Sequence, residues 1–182
     1  MSEPNQITVQ ARGIEFGALQ WGDPDGPLAL LVHGYPDTAW TWRHLGPELA
    51  DDGHHVVAPF TRGYAPTGLA PNDDYRVAEQ ARDILALHEA LGGGDDAALV
   101  GHDWGAVATW AVTASEPERF SKYVAMSVPP PAAILAPLKS VRTLPIAARQ
   151  LRMSWYARFH PLPVSGRALD WPLPKRWEGW SR

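Results

Sequence analysis

Through most of the chain, short runs that are apolar at every position alternate with stretches whose apolar residues return every three or four positions. Leu28-Ala29-Leu30-Leu31-Val32, bounded by Gly34, is such a run, and continuous apolarity is the mark of a strand covered on both faces. Val56-Val57-Ala58, residues 97–100 and Tyr123-Val124-Ala125-Met126 repeat the pattern. Between them Val77, Ala81, Ile84, Leu85 and Leu91 fall at helical spacing, and Gly92-Gly93-Gly94 stops that helix. Residues 38–50 and 106–114 predict two more helices. Near the N-terminus, Ile7-Thr8-Val9 and Ile14-Glu15-Phe16 flank Arg12-Gly13, which predicts a β-hairpin. Strands and helices in this alternation predict an α/β fold, a mainly parallel sheet with helices on both faces.

Past Val128 the pattern breaks. Pro129-Pro130-Pro131 closes the last strand, and the remainder is rich in Pro, Trp and Arg without another strand-like run. Helical pieces are predicted at 132–138 and 146–156, where Ile146, Leu151 and Trp155 share a face. The expected organisation is therefore a core over residues 1–128 and an appended partial cap over 129–182.

Composition narrows the function classes. With 182 residues, 45% of them hydrophobic, and a formal charge of −4, the chain reads as one soluble globular domain with ample core material. No basic run exists to neutralise a row of phosphates, so nucleic acid is not an expected partner. The longest apolar runs are too short for a bilayer, and Met1-Ser2-Glu3-Pro4-Asn5-Gln6 lacks the blocks of a secretory signal, so no membrane association and a cytoplasmic location are expected. The absence of cysteine rules out disulfides and thiolate chemistry. Asp51-Asp52 and Asp95-Asp96 read as solvated loop pairs without a ligand cluster beside them, so no metal is expected.

The chemistry concentrates in Leu99-Val100-Gly101-His102-Asp103-Trp104-Gly105. An apolar strand stops at Gly101, and one side chain, Asp103, stands between two glycines, as in a strand–turn–helix nucleophile elbow. The better-known elbow carries a serine, which a histidine must deprotonate, whereas a carboxylate is already ionised at neutral pH. Aspartate there suits displacement at a saturated, electrophilic carbon, giving an ester that water must later break. His33-Gly34-Tyr35-Pro36 follows the first buried strand and, in a parallel sheet, lies at the same carboxyl edge. The backbone N–H groups of Tyr35 and Trp104 can then both point at an oxyanion.

With Trp40-Thr41-Trp42-Arg43, these motifs make the chain from about Ile14 onward resemble the α/β-hydrolase superfamily, and within it the epoxide hydrolases and the neighbouring haloalkane dehalogenases. The resemblance implies Asp103 as nucleophile forming a covalent alkyl ester and Tyr35 and Trp104 as oxyanion-hole amides. His33, Gly34, Pro36, Gly101, His102 and Gly105 support the two loops. Ser154-Trp155-Tyr156 resembles the first cap-tyrosine segment of epoxide hydrolases, which nominates Tyr156 as the acid that meets the opening ring oxygen. The implied substrate is a small apolar electrophile such as an epoxide, with no cofactor. A dehalogenase needs two side-chain N–H donors for halide. Trp104 supplies one, but Tyr35 stands where one dehalogenase group has asparagine, and a second donor would have to come from Trp155 or Trp171.

Two departures from the family pattern stand out. Phe60-Thr61-Arg62-Gly63-Tyr64-Ala65 resembles the Asp-x-Arg-Gly-x-Gly turn with Phe60 and Ala65 in place of its acid and last glycine. Members of the superfamily also continue past the cap with strands that deliver an acid and a histidine, whereas this sequence stops at Arg182, so a C-terminally truncated, turnover-impaired chain is expected. His33 and His102 read as turn residues bonded to nearby backbone; His44, His54, His55 and His88 read as surface or boundary residues; His160 falls in a cap stretch. Trp155, Trp171, Trp177 and Trp180 read as packing residues. A non-catalytic remnant or binding protein is the competing reading, and the edge of the strand around Tyr123–Met126 is expected to favour self-association.

Overall fold

The computed structural model describes residues 2–154, with Leu135 and Lys139 described by backbone alone. Six strands form one sheet: β1 (Asn5–Ala11), β2 (Ile14–Trp21), β3 (Leu28–Val32), β4 (His55–Pro59), β5 (Ala98–His102) and β6 (Lys122–Met126), in the order β1-β2-β4-β3-β5-β6. β1 and β2 pair antiparallel, as do β2 and β4, while β4, β3, β5 and β6 run parallel to their neighbours. The mainly parallel sheet is as expected. Contacts divide the chain into two units, Met1–Pro130 and Pro131–Arg182.

Side chains on a strand alternate between faces, and the core divides accordingly. Leu28, Leu30 and Val32 of β3 join Val57 and Leu99 in one buried cluster with Ala81, Ile84 and Leu87 of helix α2 (Val77–Ala90) and Ala108 and Val112 of α3 (Trp104–Ser115). Ala29 and Leu31 join Val56, Ala58 and Val100 in a second cluster with Trp42, against which Leu45 and Leu49 of α1 (Leu45–Asp51) pack. Both faces of β3 are thus covered, which is why it tolerates no polar position.

Several elements differ from expectation. The hairpin strands extend further, to Asn5–Ala11 and Ile14–Trp21. Residues 38–50 do not form one helix. Thr41 and Arg43 donate to the carbonyls of Thr38 and Trp40 at 3.0 and 3.2 Å, a 3₁₀ turn over Ala39–Trp42, and α1 begins only at Leu45. Pro47 explains the break: it has no N–H for the Arg43 carbonyl and its ring would crowd that group, but it is accommodated in a helix's first turn.

In the second unit, α4 (Pro131–Leu135) leads through a 3₁₀ turn, Ala136–Lys139, to α5 (Leu144–Met153). Ile146 and Leu151 of α5 are exposed. His160, Tyr156 and the four tryptophans Trp155, Trp171, Trp177 and Trp180 lie outside the described residues. No helix among the described residues is long and apolar enough to cross a membrane.

Two histidines expected at the surface or a boundary are buried. His55, in β4, takes a 2.8 Å hydrogen bond from the Gln20 amide onto Nε2, and His88, in α2, meets the Phe120 ring edge-on at 4.7 Å. Burial lowers both pKa values from the ordinary imidazole range.

Candidate active site

β5 ends at His102 and α3 begins at Trp104, so the chain turns from strand to helix on one residue. That residue, Asp103, has φ 54° and ψ −115°, a conformation that costs a non-glycine residue on the order of 1–3 kcal/mol and persists only where neighbours hold it. Three hydrogen bonds do so. The Asp103 amide donates to the Met126 carbonyl at 3.2 Å, its carbonyl accepts from the Val107 amide at 3.1 Å, and its Oδ1 accepts from the Tyr35 amide at 2.8 Å.

The glycines of the two motifs make this approach possible. A Cβ on Gly105 would strike the Val32 carbonyl, one on Gly101 would strike the Gly105 carbonyl and Thr109 Oγ1, and one on Gly34 would lie against Asp103 and the Trp104 amide. The end of β3, the Asp103 turn and the start of α3 therefore meet backbone to backbone. Tyr35 and Pro36 are joined by a cis peptide bond. Trp104 is half exposed, and its amide stands at the first position of α3, where helical N–H groups lack an intrahelical acceptor.

His33 is fully buried. Its Nε2 accepts from the Thr61 amide at 3.1 Å, so the ring's proton sits on Nδ1, which donates to the Gly34 carbonyl at 3.0 Å. Burial lowers its pKa, and both nitrogens are engaged. It is a strut between two loops. Tyr64 meets the His33 ring edge-on at 4.7 Å, and burial, followed by the charges of Tyr35, Asp103 and Asp37, pushes its phenol up to about 12. His102 departs from expectation: it makes no bond to nearby backbone, and its enclosed Nδ1 lacks a hydrogen bond and lies 4.0 Å from Asp37 Oδ2.

Next to the Asp103 turn lies a cavity of about 630 Å³, bounded at this end by Gly34, Tyr35, Tyr64 and Trp104 and at the other by Tyr75, Arg76, Val77 and Gln80. Arg62 forms part of the wall between, and sequence reasoning missed what holds it. Asp83 takes its Nε and Nη2 at 2.5 and 2.6 Å, the Asp74 carbonyl takes its Nη1, and Arg12 adds a 2.7 Å bond to Asp83 and a 2.6 Å bond to Glu79. Arg12 and Arg82 hold the Glu79 carboxyl below its ordinary range. The sequence did carry a signal: Glu79 and Asp83, four apart, share a face of α2 with apolar Ile84 and Leu87. Phe60, standing where the family turn has an acid, is buried in the second core cluster. Among the described residues no group of three or more acids and histidines is set to hold a metal.

Comparison with known proteins extends these observations. The family model for the alpha/beta hydrolase fold matches residues 27–160. Epoxide hydrolase A of Mycobacterium tuberculosis is 35% identical over 148 residues, which are 79% of this chain and 45% of that protein. An epoxide hydrolase of Caballeronia sordidicola is 40% identical over 126 residues, 68% of this chain and 37% of that protein. The crystal structure of an epoxide hydrolase from Vigna radiata matches with a TM-score of 0.64 and 36% identity, covering 70% of this chain and 41% of that one. The chain spans less than half the length of these relatives. A family match of that extent, on a sheet of this order and with these hydrolases as relatives, establishes that the chain belongs to the α/β-hydrolase fold family.

Proposed function

We propose that this chain carries the ester-forming half of an epoxide hydrolase, with Asp103 as nucleophile. The observation that carries the reading is the 2.8 Å bond from the Tyr35 amide to Asp103 Oδ1 at a strained strand-to-helix turn. One carboxylate oxygen is held by a main-chain donor, which leaves Oδ2 to attack. Oδ2 bonds to an epoxide carbon, the carbon–oxygen bond of the ring breaks, and the departing oxygen takes a proton from an acid, for which Tyr156 is the candidate. Oδ1 becomes the ester carbonyl oxygen. When water later attacks that carbonyl, negative charge gathers on Oδ1, where the Tyr35 amide already stands and the Trp104 amide is the second donor.

The second half needs a base for water. None of the described histidines hydrogen-bonds or ion-pairs with Asp103: His33 is engaged at both nitrogens, His55 binds Gln20, and His102 turns toward Asp37. With the described histidines so engaged, stalling as the ester is the expected outcome.

Incubation with styrene oxide followed by intact-mass measurement tests this. The expected adduct has the mass of the whole epoxide, because ring opening expels nothing, and maps to Asp103. Asp103→Asn is expected to give none. A haloalkane reading instead predicts an alkyl adduct with halide released, and an unlabelled wild-type protein would support a binding remnant.

A further inference from the structure

None of the ten residues of α5, all of them described, is buried. Its sequence nevertheless favours a helix. Pro145 stands in the first turn, where a missing N–H is tolerated, and residues 147–153 are all strong helix formers. The amides of Ile146 and Ala147 donate to the Thr143 carbonyl at 3.0 and 3.2 Å, and that of Ser154 closes the last turn on the Gln150 carbonyl at 2.8 Å.

At about 100° per residue, Leu144, Ile146, Ala147, Ala148, Leu151 and Met153 fall on one broad side of this helix, and Arg149 and Arg152 on the other. The large apolar side chains of the broad side are exposed, as are Leu138 and Val141 just ahead of the helix in sequence. The polar residue among them, Gln150, gives its amide to the Ser154 hydroxyl at 3.0 Å. Exposed apolar surface of this extent, bordered by charge, marks a docking face.

Charge narrows what docks there. Residues 1–130 hold 18 Asp and Glu against 7 Lys and Arg, whereas residues 131–182 hold 2 against 9. No carboxylate side chain occurs between Glu118 and Asp170. In the first unit Arg12, Arg62, Arg76, Arg82 and Arg119 each hold a carboxylate. Arg142, Arg149 and Arg152 are exposed and have no ion pair among the described residues. The occupant must therefore offer apolar depth and negative charge together. At ten residues α5 is too short to cross a bilayer. A helix with a wide apolar side bordered by arginines instead lies in the bilayer surface, with its apolar side chains at the acyl boundary and its cations among the headgroups.

We propose that α5 is a docking face for an anionic lipid surface. Asp103 takes no part in it. The test mixes the 182-residue chain with vesicles of phosphatidylcholine, alone or with about a third phosphatidylglycerol, and reads bound protein by flotation. Binding is expected to be at least about tenfold tighter to the anionic vesicles and to fade in about 1 M salt. Arg149→Gln and Arg152→Gln are each expected to weaken it about fivefold, and Leu144→Ser and Leu151→Ser about tenfold each. All four positions are exposed, so circular dichroism should not change. Because the chain has no cysteine, a polarity-sensitive dye can be placed at one site. On Leu151→Cys its emission is expected to shift to the blue with anionic vesicles, and on Arg149→Cys, across the helix, to stay unchanged. No binding, equal binding to both vesicles, binding that survives the four substitutions combined, or the same dye response at both sites overturns the lipid face. A dimer that these substitutions break and vesicles do not displace assigns α5 to a second copy of the chain and overturns it as well.

Discussion

β3 and β6 flank β5 on opposite sides, run parallel to it and are each five residues long, yet they live in different surroundings. Every residue of β3 is buried, while β6 has Lys122 and Val124 exposed and the rest half-buried. β3 has β4 on its other side. β6 has no further strand paired with it among the described residues. Both carry an apolar run, Leu28–Val32 in β3 and Tyr123–Met126 in β6, and position in the sheet decides how far each is covered. The strand that carries the His33-Gly34-Tyr35 loop is clamped on all sides, which suits a loop whose amide must hold one oxygen in place.

The sharpest way to break the contrast is Gly105→Ala. The added methyl meets the main-chain carbonyl that ends β3, which cannot swing away, and a loss of about 4 kcal/mol or more in urea unfolding is expected. Leu31→Ala, at a fully buried β3 position, is expected to cost about 2–5 kcal/mol. Val124→Ala in β6, where the side chain is 45% exposed, should cost under about 1 kcal/mol. Equal costs for the last two would refute the contrast.

Acid probes the same side of the sheet. Burial depresses the pKa of His33, just past β3, and of His55, paired with Leu28, so the unfolded chain binds more protons than the folded one between each lowered folded pKa and the ordinary 6.5. Stability is therefore full above 6.5 and falls as pH drops through 6.5 toward the folded values. Urea midpoints across that range should decline, and His55→Gln should decline less. The smallest effect expected is at the β6 edge: Val124→Lys adds a charge to an exposed position and is expected to leave the stability read in urea within about 0.5 kcal/mol of the parent.

β3, β4 and β5 were legible because burial on both faces leaves continuous apolar runs, β6 shows the same kind of run without being covered on both faces as expected, and the Asp103 turn was legible because close backbones demand Gly101 and Gly105. The split at Pro47 was missed because helix-compatible residues surround it and only its missing N–H decides. The Arg62–Asp83–Arg12 network joins residues far apart in sequence, and Gln80 looks like any polar helix residue until the fold turns it inward. Pattern reports what is covered; it says little about polar groups covered with a purpose.

The donor at position 35 belongs to the main chain. Any amino acid except proline supplies it, while neighbouring Gly34 has no such latitude, because a Cβ there would lie against Asp103 and the Trp104 amide. The contact that holds the Asp103 carboxylate is thus written into the backbone, and Gly34→Ala is expected to disturb it more than a change of side chain at its neighbour.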